Sequence, residues 1–262
     1  MKRIEEVVRA LRDPETGCPW DLKQDHASMA PYLVEEVYEV LDAIDDADDE
    51  ALREELGDVL LQVVFHAQLA SERGSFALAD VAETIAQKMV VRHPHVFGED
   101  SEVGDAAWVL EQWEAGKRRR RAEAGASVLA GVPRQLPGLQ RAQRLTSKAA
   151  VVGFDWPDVP SVLAKVDEEL AEVREALDAG DAAAVADEIG DLLFAVVNLA
   201  RKSGIDAEQA LRGTNRKFCE RFAYIEASLS AAGSSPEAAS LDEMDTLWNE
   251  AKRRRPGRPV QD

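Results

Sequence analysis

Acidic side chains occur in groups whose spacing suits a metal site. Glu36 and Glu39 are three residues apart, and Glu55 and Asp58 repeat that spacing further along the chain. Residues three or four apart share a face of an α-helix, so each pair would project from one face of its own helix. Four carboxylates held close together repel one another unless protons or a cation neutralise them. Oxygen ligands of this kind favour Mg²⁺, and Mn²⁺ is a reasonable substitute.

The same arrangement recurs 133 residues later in the chain. The four acids of the first half correspond to Glu169, Glu172, Glu188 and Asp191, and the neighbouring apolar residues keep the same register. A duplicated core would preserve only apolar positions, so the retained acids indicate duplicated chemistry. Acids at helical spacing usually lie on solvated surfaces, but here the last acid of each group runs into an apolar stretch, VLLQVVF or LLFAVV. The sequence therefore predicts two metal sites, one in each half.

Helices must position these acids. Apolar residues recur at three- and four-residue spacing through most of the chain, and strict alternation is absent. The pattern predicts one helix over PYLVEEVYEVLDAI, with Pro31 in its opening turn, and a second helix from about residue 49 to 72. The short acidic connection DDADDE favours an antiparallel hairpin in which the two acid pairs face each other. We therefore predict an all-α fold made of two tandem helical bundles.

The length and composition of the chain limit its possible domain organisation and the kinds of molecule it could bind. The chain has 262 residues, and its helical pattern is lost in RRRAEAGASVLAGVPRQLP, which predicts domains at 1–117 and 137–262 joined by a linker at 118–136. A net charge of −19 argues against a protein that mainly binds nucleic acid, and the basic runs at 117–121 and 252–256 are typical of solvated helix ends. Two distant cysteines, no signal peptide and no long apolar run predict a soluble cytoplasmic protein that does not enter membranes.

The sequence lacks the ligand patterns of two other common metal sites. A ferritin-like di-iron site needs Glu-x-x-His pairs, and none of the four histidines follows a glutamate by three residues. A zinc site would need paired histidines, and the only close pair is His93 and His95 in RHPHVF. We expect these two to shape a turn around Pro94.

The motifs, taken in order, carry a family resemblance. GCPWD, PYLVEEVYEVLDAI, EELGDVLLQVVF, RHPHVFGE, VGFDW and DEIGDLLFAVVNLAR together resemble the tandem-domain MazG nucleoside triphosphate pyrophosphohydrolases, from about residue 10 to about residue 253. EExxE followed by ExxD is the hallmark of that all-α superfamily. Gln87 departs from the pattern, because an acidic residue is expected just before Lys88. The resemblance implies Mg²⁺-dependent cleavage of nucleoside triphosphates to monophosphates and pyrophosphate, broad base tolerance, a nucleotide-pool or house-cleaning role, and a homodimer.

The resemblance also implies roles for individual residues. Glu35 and Glu168 would orient or deprotonate the attacking water. Basic residues would neutralise phosphate oxygens, and a tryptophan could stack on any base. These substrate-binding residues would be Lys217, Arg221, Trp248 and Lys252 in the second half and Lys88, Arg92, Trp113 and Lys117 in the first.

Two alternatives remain open from the sequence. A metal-loaded helical module could sense nucleotides or alarmones without turnover, and a pyrophosphatase could be tuned to one nucleotide such as dUTP or dCTP. The two halves also differ at one polar position, because Asn198 stands where the first half has Phe65. This extra polar group beside the acid helix favours the second half as the main catalytic site.

Overall fold

The computed structural model describes residues 2–98, 105, 108, 109, 116 and 125–254. Within these residues the chain forms α-helices and one short 3₁₀ helix, with no β-strand, which confirms the predicted all-α fold. The α-helices are α1 (Lys2–Leu11), α2 (His26–Asp45), α3 (Asp49–Glu72), α4 (Leu78–Arg92), α5 (Pro94–Phe97), α6 (Gly138–Ala150), α7 (Val159–Ala179), α8 (Ala182–Lys202), α9 (Ala207–Ala231) and α10 (Leu241–Arg253).

The chain divides into two compact units, Met1–Glu114 and Ala115–Asp262. In the first unit, α2 and α3 pack against each other as a hairpin, and α1 and α4 pack against α3. In the second unit, α7 and α8 form the matching hairpin, α6 packs against α8, and α9 contacts both α6 and α10. Of the predicted linker, residues 125–136 contain no helix, and residues 118–124 lie outside the described part of the chain.

Aspartate caps begin the second helix of each hairpin. The carboxylate of Asp48 accepts hydrogen bonds from two backbone amides of the first turn of α3, at 3.0 Å each. The carboxylate of Asp181 makes the same contacts with α8, at 3.0 and 3.1 Å. The connections before these caps both need a left-handed residue, which is Gly180 (φ +68°) in the second unit and Ala47 (φ +54°) in the first. A Cβ atom makes that conformation costly, so the first turn is the more strained.

The start of α2 differs from the prediction. The helix begins at His26, so Pro31 lies in its second turn and not in its opening turn. A capping box sets this start: the Asp25 carboxylate accepts from the Ser28 amide at 2.8 Å, and the Ser28 hydroxyl accepts from the Asp25 amide at 2.9 Å. Pro31 cannot donate one backbone hydrogen bond of the helix, and the capping box offsets part of that loss.

Each unit has its own apolar interior. In the first, Val8 of α1, Met29 of α2 and Val64 and Phe65 of α3 are buried in one cluster. In the second, Val162 of α7 and Val197 of α8 are fully buried. No helix in the described part of the chain is both long and apolar enough to span a bilayer.

Candidate metal centre and nucleotide site

The predicted acids of the second unit meet between α7 and α8. Glu169 and Glu172 of α7 and Glu188 of α8 each offer a carboxylate oxygen, and these oxygens all lie within 4.8 Å of one another. Asp191, one turn further along α8, lines a cavity that Glu169 also lines. Residues with the ExxE spacing on α7 and the ExxD spacing on α8 therefore lie on the sides of the two helices that face each other, as expected from that spacing.

The acids of the first unit form the matching cluster. Glu36 and Glu39 of α2 and Glu55 of α3 also place carboxylate oxygens within 4.8 Å of one another. The buried Gln62 donates a weak hydrogen bond from its Nε2 to Glu36 at 3.5 Å. The corresponding residue of the second unit is Ala195, so the two clusters differ in the groups that support them.

Burial and the nearby carboxylates raise the pKa of glutamates in both clusters. Loss of hydration raises the pKa of the Glu172 carboxyl, and the neighbouring Glu169 and Glu188 raise it further. In the first unit, loss of hydration likewise raises the pKa of Glu36 and of Glu55, with further increases from the acids around them. Ionised carboxylates are therefore destabilised by one another in each cluster, and a bound cation would relieve this repulsion.

The second cluster fits a hard divalent cation. The Glu169 side chain is only 6% exposed, and its Oε2 atom is buried with no hydrogen-bond donor in the described structure. An ionised oxygen in that state is costly unless a cation or a ligand satisfies it. The donor set consists of carboxylate oxygens, which suits Mg²⁺ or Mn²⁺ better than softer metals. Glu169, Glu172 and Glu188 would hold the ion, with Asp191 as the fourth acid.

Lys165 also belongs to this site, although it lies outside the ExxE and ExxD motifs. Its ammonium contacts the carboxylates of Glu168 at 2.7 Å and Glu169 at 2.8 Å. These two ion pairs hold the pKa of Lys165 above its ordinary range. The signal was present, since Lys165 precedes the two glutamates by three and four residues on the same helix. The first unit has Tyr32 at this position, and Tyr32 packs against Trp20 instead.

The two predicted water-activating acids have different surroundings. Glu168 pairs with Lys165 beside the metal cluster. The side chains of Glu168 and Glu35 are both exposed, but Glu35 on α2 has no matching ion pair within the described residues. The environment that would fix a catalytic carboxylate is therefore more developed in the second unit.

The predicted cationic residues of the second unit gather between α9 and α10. They line a cavity of about 710 Å³ whose basic side chains are Arg216, Lys217, Arg221, Lys252 and Arg254. Two of these cations lie over the Trp248 ring: the distance to the ring centroid is 5.3 Å from Arg221 Cζ and 5.9 Å from Lys252 Nζ. None of the clustered carboxylates lines this cavity. Within one chain, the acids and the cations of the second unit thus belong to separate cavities.

The cations predicted for the first unit are only partly described. Lys88 is exposed on α4, and Arg92 is the last residue of that helix. Trp113 and Lys117 lie outside the described residues. His93 and His95 stand at the α4–α5 turn, as expected, with the His93 Nδ1 atom 2.7 Å from the Met89 carbonyl oxygen.

A second histidine pair was not anticipated from the sequence. His26 and His66 stack with their Nδ1 atoms 2.8 Å apart, and Arg73 contacts the Nε2 atom of His26. Burial, followed by the charge on His26, lowers the pKa of His66. The pair comes from positions 40 residues apart, so spacing along the chain gave no sign of it.

Comparisons with known proteins agree with this duplicated architecture. The model of the MazG nucleotide pyrophosphohydrolase domain matches residues 24–97 and 158–224, which together make up more than half of the chain and contain both acid groups. The nucleoside triphosphate pyrophosphohydrolase of Escherichia coli K12 is 46% identical over 256 residues, 96% of each chain. The nucleoside triphosphate pyrophosphohydrolase/pyrophosphatase MazG of Thermotoga maritima is 44% identical over 246 residues, 94% of this chain and 93% of that protein. With two matched segments, each carrying one carboxylate cluster on a helical hairpin, the chain belongs to the MazG nucleotide pyrophosphohydrolase family.

Proposed function

We propose that the protein hydrolyses nucleoside triphosphates to nucleoside monophosphates and pyrophosphate with Mg²⁺, and that Mn²⁺ can substitute. The observation that carries this proposal is the cluster of Glu169, Glu172 and Glu188, with one buried and unsatisfied carboxylate oxygen beside an open cavity. Relatives covering nearly the whole chain bear the name of this activity. In the reaction, water adds to the α-phosphorus, the bond to the bridging oxygen breaks, and pyrophosphate leaves.

Different residues of the second unit would bind the metal and accept the proton. Bound Mg²⁺ would supply Lewis-acid stabilisation of the phosphate oxygens. Glu168 is the proposed acceptor of the proton from the attacking water, and the ammonium of Lys165, 2.7 Å away, holds its carboxylate in place. Glu35 is the corresponding residue of the first unit.

Phosphate binding falls to the basic residues of α9 and α10. Lys217, Arg221 and Lys252 line one cavity, where their charges would neutralise phosphate oxygens outside the metal shell. Trp248 would support this group, because two of the three cations lie against its ring. Their counterparts by motif in the first unit are Lys88, Arg92, Trp113 and Lys117. We propose domain limits at 1–117 and 137–262.

A homodimer would bring the acids and the cations together. The acid cluster and the cationic cavity are separate in one chain. Ile189, Leu193 and Val196 form an exposed apolar stripe on α8, at spacings of four and three residues. Exposed stripes of this kind commonly pack against another chain. We propose that a second copy covers this stripe and supplies cations to the site, and sedimentation of a Leu193→Asp variant as a monomer with reduced turnover would support that arrangement.

The substrate pool follows from the proposed chemistry. Metal and phosphate contacts are common to every nucleoside triphosphate, so we propose activity on canonical and aberrant nucleotides in a cytoplasmic house-cleaning role. Nearly equal rates across bases would support this breadth, whereas a single preferred nucleotide would contradict it.

Product identification tests the proposal directly. The protein is incubated with each nucleoside triphosphate, with and without Mg²⁺, and the products are separated. Monophosphate and pyrophosphate are expected only when metal is present, and a Glu39→Gln/Glu172→Gln double variant should release neither. Diphosphate with orthophosphate would point to another hydrolase, and binding without any product would favour a nucleotide sensor. Unchanged turnover in the folded double variant would contradict the metal site.

A further inference from the structure

The second unit contains an apolar cavity that opens beside the metal cluster. Its volume is about 640 Å³, within the range of small-molecule sites, and its wall includes the metal-site acids Glu169 and Asp191. Phe154, Trp156 and Phe194 provide aromatic surface around the same space. A ligand with its phosphates at the acids could therefore extend its remaining part into an aromatic environment.

The aromatic residues around this cavity are unusually exposed. Phe154 is 82% exposed, Phe194 is 42% exposed, and Trp156 is 38% exposed. Phe154 follows Gly153, whose positive φ of 87° turns the chain after α6. Clustered exposed aromatic rings in a cleft are characteristic of binding sites, because a flat ligand can cover them by stacking.

One polar side chain in the cavity wall is fixed with a free donor. Asn198 is 7% exposed, and its Oδ1 atom accepts hydrogen bonds from Nε and Nη2 of Arg201 at 3.3 and 3.1 Å. Arg201 in turn is held by an ion pair with Asp155. Since arginine only donates, this chain of contacts fixes which end of the amide faces it. The Nδ2 group of Asn198 has no acceptor among the described residues and remains available to a ligand.

Among the described residues of the first unit, a buried ring fills the position that corresponds to Asn198. Phe65 replaces Asn198 there and is only 2% exposed, within the cluster that contains Val8 and Met29. The guanidinium of Arg12 lies over the Phe65 ring at 5.3 Å, and its Nε and Nη2 bind both carboxylate oxygens of Glu72 at 2.7 Å. A packed ring thus occupies the position from which the second unit offers an amide.

We propose that the aromatic cavity of the second unit binds the nucleobase of the substrate, with Asn198 Nδ2 donating a hydrogen bond to the base edge. This inference rests on the proposed function, because the triphosphate must reach the adjoining acids. Every common base has a stacking face and at least one acceptor atom. Aromatic walls with a single donor would therefore hold bases firmly while discriminating weakly among them.

Binding measurements with and without a base test this assignment. The probes are the Mg²⁺ complexes of an α,β-methylene nucleoside triphosphate, which is not cleaved at the bond in question, and of inorganic tripolyphosphate, which has no base. Asn198→Phe, which copies the first unit, should weaken binding of the nucleotide analogue by about tenfold or more, as expected from loss of base stacking. Binding of tripolyphosphate should change by less than about twofold, since its phosphate contacts remain.

Two further variants keep the test decisive. Asn198→Leu preserves the size of the side chain but removes the hydrogen-bond donor. It should therefore weaken binding of the nucleotide analogue roughly fivefold, as expected for the loss of one hydrogen bond, and leave binding of tripolyphosphate unchanged. Ala183→Phe adds an aromatic ring to an exposed position in the first turn of α8, outside the cavity wall and off the apolar stripe, and should affect neither probe. Equal losses for both probes, or no loss for either in folded Asn198→Phe, would overturn the assignment. Because binding is measured without turnover, a failure of the proposed hydrolysis would be recognised separately.

Discussion

The two units share one helical plan but use the space beside their acids differently. In the first unit, α1 packs against α3, and Val8, Met29 and Phe65 fill the interior. In the second unit, α6 packs against α8 in the same way, yet the space between α6, α7 and α8 remains a cavity. A duplicated hairpin can therefore keep its carboxylates while the matching position beside them holds a buried ring in one copy and lines a cavity in the other.

The two units also differ in the charged residues that surround their acid clusters. Lys165 neutralises part of the second cluster, whereas Tyr32 at the matching position carries no charge. In the first unit, Arg12 follows α1, pairs with Glu72 and covers a phenyl ring. In the second unit, Arg201 of α8 pairs with Asp155 and fixes an amide. From these contrasts we infer that the second unit carries most of the proposed catalysis.

The largest expected effect separates the two acid clusters by turnover. Glu172→Gln removes a proposed metal ligand from the second unit and should lower turnover by more than about 100-fold, beyond the loss caused by an outer-shell change. Glu39→Gln makes the same change in the first unit and should lower turnover far less. Steady-state pyrophosphate release at saturating Mg²⁺ measures both variants. Equal losses would show that both units catalyse.

The next effect concerns the filled interior of the first unit. Phe65→Ala should lower the free energy of unfolding by about 3–5 kcal/mol, because it removes a buried ring and leaves a cavity. Asn198→Ala, at the matching position beside an existing cavity, should cost about 1–2 kcal/mol for its lost hydrogen bonds. Urea unfolding followed by helical circular dichroism compares them. A larger loss for Asn198→Ala would contradict the assignment of a packed first unit and an open second unit.

The pH dependence of stability tests the contacts that fix Asn198. Hydrogen bonding to Arg201, followed by Lys202, lowers the pKa of Asp155 from 3.8 to about 2. A depressed carboxyl pKa contributes stability that is present above the unfolded value and is lost as the pH falls through the folded value. Asp155→Asn should therefore remove about 1–2 kcal/mol at neutral pH, and its difference from the wild type should shrink between pH 3.8 and about 2.

The control for that measurement is Asp178→Asn, an exposed change on α7. It should leave the unfolding free energy within about 0.5 kcal/mol of the wild type. A difference between wild type and Asp155→Asn that stays constant as the pH falls would show that the carboxylate charge does not provide the stability.

The smallest effect tests the two hairpin turns. Ala47→Gly should raise the unfolding free energy by about 1 kcal/mol or less, since glycine adopts the left-handed conformation without strain. Gly180→Ala should lower it by a similar amount, because an added Cβ meets no neighbour and pays only the conformational penalty. Thermal unfolding of the two variants gives opposite shifts if the turns are equivalent. Shifts of the same sign would contradict that equivalence.

Much of this organisation was predictable from the sequence. Helical spacing placed each acid pair on one face, and aspartates marked the starts of α3 and α8. The start of α2 was missed because Pro31 resembled a first-turn residue, while the capping box lay upstream. Lys165 was also missed, although its spacing from Glu168 and Glu169 was a usable signal.

Other features depend on packing that sequence patterns do not encode. The aromatic cavity exists because Asn198 and its neighbours leave space that Phe65 fills in the first unit, and both outcomes suit the same apolar periodicity. The exchange of one side chain pointed to a difference between the halves but not to a cavity. The cations likewise line a cavity that none of the clustered acids lines, and residue spacing along the chain did not predict this separation.

The number of nucleotides bound per chain tests the central claim most directly. Isothermal titration calorimetry with an α,β-methylene nucleoside triphosphate and Mg²⁺ measures this number and the affinity together. One nucleotide should bind per chain, and binding should be lost in Glu172→Gln but kept in Glu39→Gln. Two equivalent sites per chain, or loss of binding through Glu39→Gln alone, would contradict a division between a packed first unit and a nucleotide-binding second unit.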